Sequence, residues 1–117
     1  MCTRTLKNFM NKPSTELAYL SGVFDGEGSF GTWSRGKKKT RAFMLAVEMT
    51  DIDVILKFFM YFKKGSITTL PPRKEGYQRT FKWQVSCEQA IVIVKKMLPF
   101  LSKRRQAKFQ EDLNGLH

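Results

Sequence analysis

The sequence predicts an α+β domain in which two antiparallel hairpins make one sheet and helices cover one of its faces. Three observations carry the prediction. Helix-start and helix-stop signals frame several segments. Between them lie paired segments of alternating polarity, each pair joined by turn residues. Along those strands the bulky apolar residues keep one parity, and Arg, Lys, Gln and Thr occupy much of the other.

Residues 1–12 are polar and basic. Pro13-Ser14-Thr15-Glu16 then puts a hydroxyl cap before an acid in a first turn, predicting a helix over 15–26 that glycines end. Residues 29–35 read as a strand, 36–39 as a turn and 41–50 as a second strand. Phe43, Leu45, Val47 and Met49 share one face of that strand, and Ala42, Met44, Ala46 and Glu48 the other. A second helix over 51–62 takes Thr50 or Asp51 as its cap and Asp53 in its first turn, and Gly65 ends it. Residues 67–70 and 77–86 form the second hairpin, joined through Pro71-Pro72-Arg73-Lys74-Glu75-Gly76. In its last strand Phe81, Trp83 and Val85 alternate with Lys82 and Gln84. A third helix over 88–98 stops at Pro99, and a basic helix covers 103–113. The order is α-β-β-α-β-β-α-α, and residues 1–117 read as a single domain.

Composition narrows the function. Of 117 residues 21 are basic and 10 acidic, a formal net charge of +11. Such an excess on a short chain points to a polyanion, nucleic acid before an anionic membrane surface. No apolar stretch reaches the length of a membrane span. Two cysteines and no secretory signal pattern predict an intracellular setting. The one histidine, His117, leaves little room for a zinc site or a histidine base. No Asp or Glu is followed two residues later by Lys, so a restriction-type acid-x-Lys pair is absent. A two-stranded ribbon fits the major groove, and the polar parity of the hairpins supplies one.

The segment over 20–30 reads LSGVFDGEGSF. Ala18, Gly22 and Gly26 recur every four residues and give one helix face a smooth stripe on which a second helix can pack closely. The same helix ends on Asp25 and Glu27, against its own dipole, at a cost of about 0.3–1 kcal/mol each. A bound divalent cation removes that conflict. Without one, the glycines are caps and the acids solvated.

That segment resembles the LAGLIDADG signature in the variant LAGxxDGEGSF, departing at Ser21, where the family has Ala. The element order resembles one whole LAGLIDADG domain. The stretch over 98–106, LPFLSKRRQ, resembles a late segment of that family ending in K-x-x-Q. The resemblance implies a homing endonuclease of the single-motif class, a homodimer that cuts both strands of a long, near-palindromic duplex DNA site with Mg²⁺. Other divalent cations, Mn²⁺ or Ca²⁺, suit the same site. Glu27 maps onto the metal-binding acid, with the Gly26 carbonyl as a further ligand. Asp25 maps onto the acid that is chiefly structural at the helix end. Ala18, Ser21, Gly22, Asp25 and Gly26 map onto the dimer interface.

By resemblance to the K-x-x-Q segment, Lys103 is the first candidate for stabilising charge on the phosphate and Arg104 the second, with a solvated helix start or a non-catalytic phosphate contact as the other role of Lys103. Asp51 is a candidate for positioning water or metal, with helix capping as its other role. DNA contacts are expected from Trp33, Arg35, Lys37, Lys38, Lys39, Arg41, Glu48, Arg73, Lys74, Gln78, Arg79, Lys82 and Gln84. Lys103, Arg104, Arg105 and Lys108 are expected at phosphate. Two alternatives stay open on the same scaffold: a maturase binding intron RNA, and a regulator that binds DNA without cutting it.

Overall fold

The computed structural model describes residues 2–35 and 40–116, with side chains described over 15–33 and 41–116. Helix α1 (Cys2–Glu27) leads directly into strand β1 (Gly28–Arg35), which turns back as β2 (Thr40–Met49). Helix α2 (Ile52–Phe62), strands β3 (Ser66–Leu70) and β4 (Thr80–Ser86) and helix α3 (Cys87–Met97) follow. A single 3-10 turn (Leu98–Phe100) leads into α4 (Lys103–Gly115). The four strands form one sheet in the order β1-β2-β4-β3, every neighbouring pair antiparallel.

Two element boundaries and one helix cap differ from the sequence expectation. Helix α1 runs from Cys2 rather than from residue 15, carrying Pro13 inside it. Proline removes one helical hydrogen bond, which a long helix can carry. Strand β4 begins at Thr80 rather than at 77, because Leu70 pairs with Thr80 and residues 71–79 bridge them as a loop. Pro71 and Pro72 cannot donate to a ladder, and Gly76 turns the chain at φ 89°. At α2, the side chain of Asp51 makes no cap bond; its backbone carbonyl accepts from Val54 and Ile55 instead.

The core lies between the sheet and the helices. Strands contribute Phe30, Phe43, Leu45, Val47, Trp83 and Val85 from one parity, as the alternation predicts. Helices supply Leu20, Phe24, Ile55, Phe58, Val94, Met97 and Phe109. Trp83 is fully buried between Phe58 and Phe62, and its indole N–H donates to the Lys64 carbonyl at 2.9 Å. A second aromatic group, Phe24, Phe30, Phe43 and Phe109, sits under β1.

The second aromatic group explains one glycine of the signature segment. A Cβ on Gly28 would lie 2.3 Å from Cδ1 of Phe24, inside the packed ring. Gly28→Ala is therefore expected to destabilise the fold by about 1–3 kcal/mol, the usual cost of forcing a core to open. Urea unfolding reads this directly. Gly115→Ala, at the end of α4, is the comparison, since its added methyl meets nothing within 4 Å. Equal stability of both variants would remove the steric account.

Candidate nucleic-acid interface and metal centre

The face of the sheet away from the helices carries the opposite parity. Pairing Phe30 with Leu45 and Val47 with Trp83 on the core side leaves Ser29 and Trp33 of β1 on the free side. The same register puts Ala42, Met44, Ala46 and Glu48 of β2 and Lys82 and Gln84 of β4 there. Ser66 and Thr68 of β3 join them opposite Gln84 and Lys82. Glu27, Ser29, Trp33, Met44, Glu48, Lys82 and Gln84 line one concavity on this face. Trp33, Lys82 and Gln84 thus stand where the alternation put them, with Trp33 exposed.

Other expected DNA contacts are placed differently. Arg41 shares the parity of Phe43, so it lies on the helix side, where its guanidinium donates to Thr32 Oγ1 at 2.8 Å. Glu48 is on the free face, but its carboxylate already accepts from Arg73 at 3.2 Å and Thr80 at 3.0 Å. Arg73, Lys74, Gln78 and Arg79 are exposed in the loop over 71–79 rather than on a strand. Lys37, Lys38 and Lys39 lie outside the described residues, as does the side chain of Arg35 at the end of β1. Residues that polarity alone did not flag, Ser29, Met44 and Thr68, join the face through register.

The junction of α1 and β1 sorts the acids of the signature segment. Glu27 is exposed, opens onto the free-face concavity, and has no hydrogen-bond or ion-pair partner among the described residues. Asp25 is engaged: Oδ1 accepts from the Ser102 backbone N–H at 3.0 Å and lies 3.9 Å from Arg105 Nε. Gly22 and Gly26 are exposed and a Cβ on either would meet nothing within 4 Å, while Ala18 is half-buried, so α1 presents an open strip. Ser21 is not part of that strip. It is fully buried in the protomer, facing the core between Leu17 and Phe24, with its hydroxyl unpartnered. Asp25 likewise turns toward α4 rather than toward a second helix.

Helix α4 contains another correction. Arg105, expected at phosphate, has only 13% of its side chain exposed. It donates to the Asp25 carbonyl at 3.1 Å and the Gly28 carbonyl at 2.7 Å, and lies over the rings of Phe24 and Phe30. Lys108, one turn on, donates to the Phe30 carbonyl at 2.8 Å and pairs with Asp112 at 2.7 Å. Since β1 is an edge strand, its outer carbonyls need partners, and these two cations supply them. Gln106 ties α4 to the preceding turn by donating to the Leu98 and Leu101 carbonyls, both at 3.1 Å. Lys103 and Arg104 remain exposed in the first turn of α4, and the Asp51 carboxylate is exposed at the start of α2.

The Ser102 N–H above all, then the Arg105 and Arg104 charges, hold the Asp25 carboxyl below its ordinary value, against the partial burial that raises it. A folded pKa lowered in this way gives stability that is complete above the unfolded value of about 3.9. It is lost as pH falls through the folded pKa, which lies lower still. Asp25→Asn is expected to remove that acid dependence. Unfolding midpoints of the two proteins should differ by a steady amount from pH 6 down to about pH 4 and begin to converge only as pH falls below that. A difference that stays constant as pH falls well below about 4 would exclude the carboxylate as its source.

Among the described residues no three His, Cys, Asp or Glu side chains come together, so a closed protein cage is absent. One free carboxylate beside an open glycine backbone suits a hard ion such as Mg²⁺, which keeps several waters and takes further oxygens from substrate phosphate. Among the described residues, no side chain donates to the Gly26 carbonyl, at a helix end where backbone carbonyls lack intrahelical partners. The residues present therefore fit such an ion.

No protein-family model matches the sequence, and no curated protein matches it either. Solved structures do. The archaeal intron-encoded homing endonuclease I-Vdi141I, complexed with DNA, superposes with a TM-score of 0.65 at 18% identity, over 88% of this chain and 69% of that one. The group I intron-encoded homing endonuclease I-CeuI, also complexed with DNA, gives 0.64 at 17% identity, over 98% and 67%. The LAGLIDADG homing endonuclease I-GzeII, in complex with its DNA target, gives 0.65 at 19% identity, over 86% and 34%.

The chain has the LAGLIDADG homing endonuclease fold. It spans about a third of the length of I-GzeII and about two thirds of the other two. The segment resembling the LAGLIDADG signature occupies the last turns of α1 and the start of β1. No helix of the described residues is long and apolar enough to cross a membrane.

Proposed function

We propose that this chain is a subunit of a homing endonuclease that hydrolyses one phosphodiester on each strand of duplex DNA. Glu27 carries the reading: a carboxylate free of partners among the described residues, at the helix–strand junction, facing a concavity that also holds Lys82 and Gln84. The DNA complexes of its structural neighbours and the net charge of +11 support duplex DNA as the partner. The open strip at Gly22 and Gly26 supports a homodimer packed along α1, which favours a near-palindromic site.

In this reading Glu27 and the Gly26 carbonyl would hold Mg²⁺. Bound there, such an ion would supply a lowered pKa for water and positive charge against the phosphate. Lys103, with Arg104 beside it, stabilises the charge that develops as the bond breaks. The free face fixes register on the groove while loop cations, Arg73 among them, meet backbone phosphate. Asp25 and Arg105 hold the junction so that Glu27 faces the DNA side. Asp51 is a further candidate for orienting water, its carboxylate free of the capping bond.

The test is to incubate the protein with a library of duplex sites with and without Mg²⁺ and to weigh the complex by sedimentation. Metal-dependent double-strand cutting by a dimer is the expected result. Selective binding without cutting would replace it with a DNA-binding regulator, and binding to structured intron RNA alone with a maturase.

A further inference from the structure

At the centre of the polar free face β2 presents Ala42, Met44 and Ala46, none of which can hydrogen-bond strongly. Gln84 of β4 lies beside them, opposite Ala46, with Nε2 3.9 Å from Met44 Sδ. Both side chains are half-buried and line the same concavity as Glu27. We infer that Met44 and Gln84 act as one unit that reads an A·T base pair in the major groove of the target. The inference rests on the reading that this face meets duplex DNA.

The chemistry of the pair selects that edge. Adenine shows N7 as acceptor and N6–H as donor, and its thymine partner adds a C5-methyl group. Gln84 has two amide hydrogens and a carbonyl oxygen. One hydrogen is turned toward Met44 Sδ, a weak acceptor, at an N···S distance of 3.9 Å. The other hydrogen and Oε1 are left for N7 and N6–H of adenine. The Met44 thioether then supplies an apolar, polarisable surface for the thymine methyl, which a G·C pair lacks. Because Gln84 and Met44 stand on neighbouring strands, the purine falls under β4 and the thymine under β2, so T·A is disfavoured. Ala42 and Ala46 flank Met44 at about 6.8 Å, two residues of strand rise, and leave room for the base pairs on either side.

The experiment is selection of a randomised duplex library in EDTA, followed by affinity measurements on atom-edited versions of the selected site. An invariant A·T pair is expected. Deoxyuridine in place of its thymidine should weaken binding about fourfold, the worth of one buried methyl group. The 7-deaza form of its adenine should weaken binding about tenfold, the lower end for a bidentate contact. Met44→Ala should abolish the deoxyuridine effect and keep the 7-deaza effect, with folding checked by circular dichroism. A selected site indifferent to deoxyuridine at every thymidine, or with G·C throughout, would overturn the inference and leave the endonuclease reading intact. No selective binding to any duplex would overturn both.

Discussion

Glu27→Gln is expected to lower metal-dependent cleavage by roughly a thousandfold or more while leaving duplex affinity within a few-fold of the unmodified protein. Three decades in rate correspond to about 4 kcal/mol, within what one metal contributes to a transition state of this charge. The substitution keeps shape and removes charge. Since Glu27 is exposed and has no protein partner among the described residues, its loss breaks no contact. A negative charge at the end of α1 opposes the helix dipole, so the variant should unfold slightly later, by about 0.3–1 kcal/mol. That combination separates a metal ligand from a structural acid. Cleavage is read on a supercoiled plasmid bearing the selected site, binding by anisotropy in Ca²⁺, and stability by thermal melting. A variant that cuts at the normal rate would dismiss Glu27 as the ligand. One that melts earlier would mean that the carboxylate holds the fold together.

The sheet was legible because each hairpin has one buried face, so period-2 alternation had to appear. Trp83, Phe43 and Val47 show it, and the free-face parity of Lys82 and Gln84 follows without further information. The acids of the signature segment were legible as an oddity at a helix end, and the resemblance implied their division of labour, but not the partner that engages Asp25. Asp25 is engaged by Ser102, which lies 77 residues on, and no local pattern reports a contact of that range. Misplaced residues had signals that polarity overrode. Arg41 shares the parity of Phe43 and so belongs to the helix side whatever its charge. Ser21 falls three residues before Phe24 and four after Leu17, on the inward face of α1. The end of the second hairpin was less legible, since alternation over 77–86 does not reveal where pairing begins. The prolines at 71 and 72 show only that the loop is stiff.

The run Lys103-Arg104-Arg105 reads as one basic patch in sequence, yet the helix splits it. Phe109 is the buried anchor of α4, and Arg105 lies four residues before it, so the guanidinium turns inward while Lys103 and Arg104 stay in solvent. Arg105→Met should therefore cost about 2–4 kcal/mol of stability, because it leaves two backbone carbonyls and the Asp25 carboxylate short of a partner. Arg105→Lys should lose part of that, since an ammonium lacks the planar fork that spans the Asp25 and Gly28 carbonyls. Lys103→Met and Arg104→Met should each stay within about 0.5 kcal/mol, as exposed substitutions do. The salt dependence of DNA binding decides the alternative. Each phosphate contact removed should flatten the slope of log K against log salt by about 0.9. A normal slope with reduced stability in Arg105→Met fits a clamp on the junction behind Glu27. Normal stability with a flattened slope would return Arg105 to the DNA surface and leave the Asp25 and Gly28 carbonyls to be satisfied some other way.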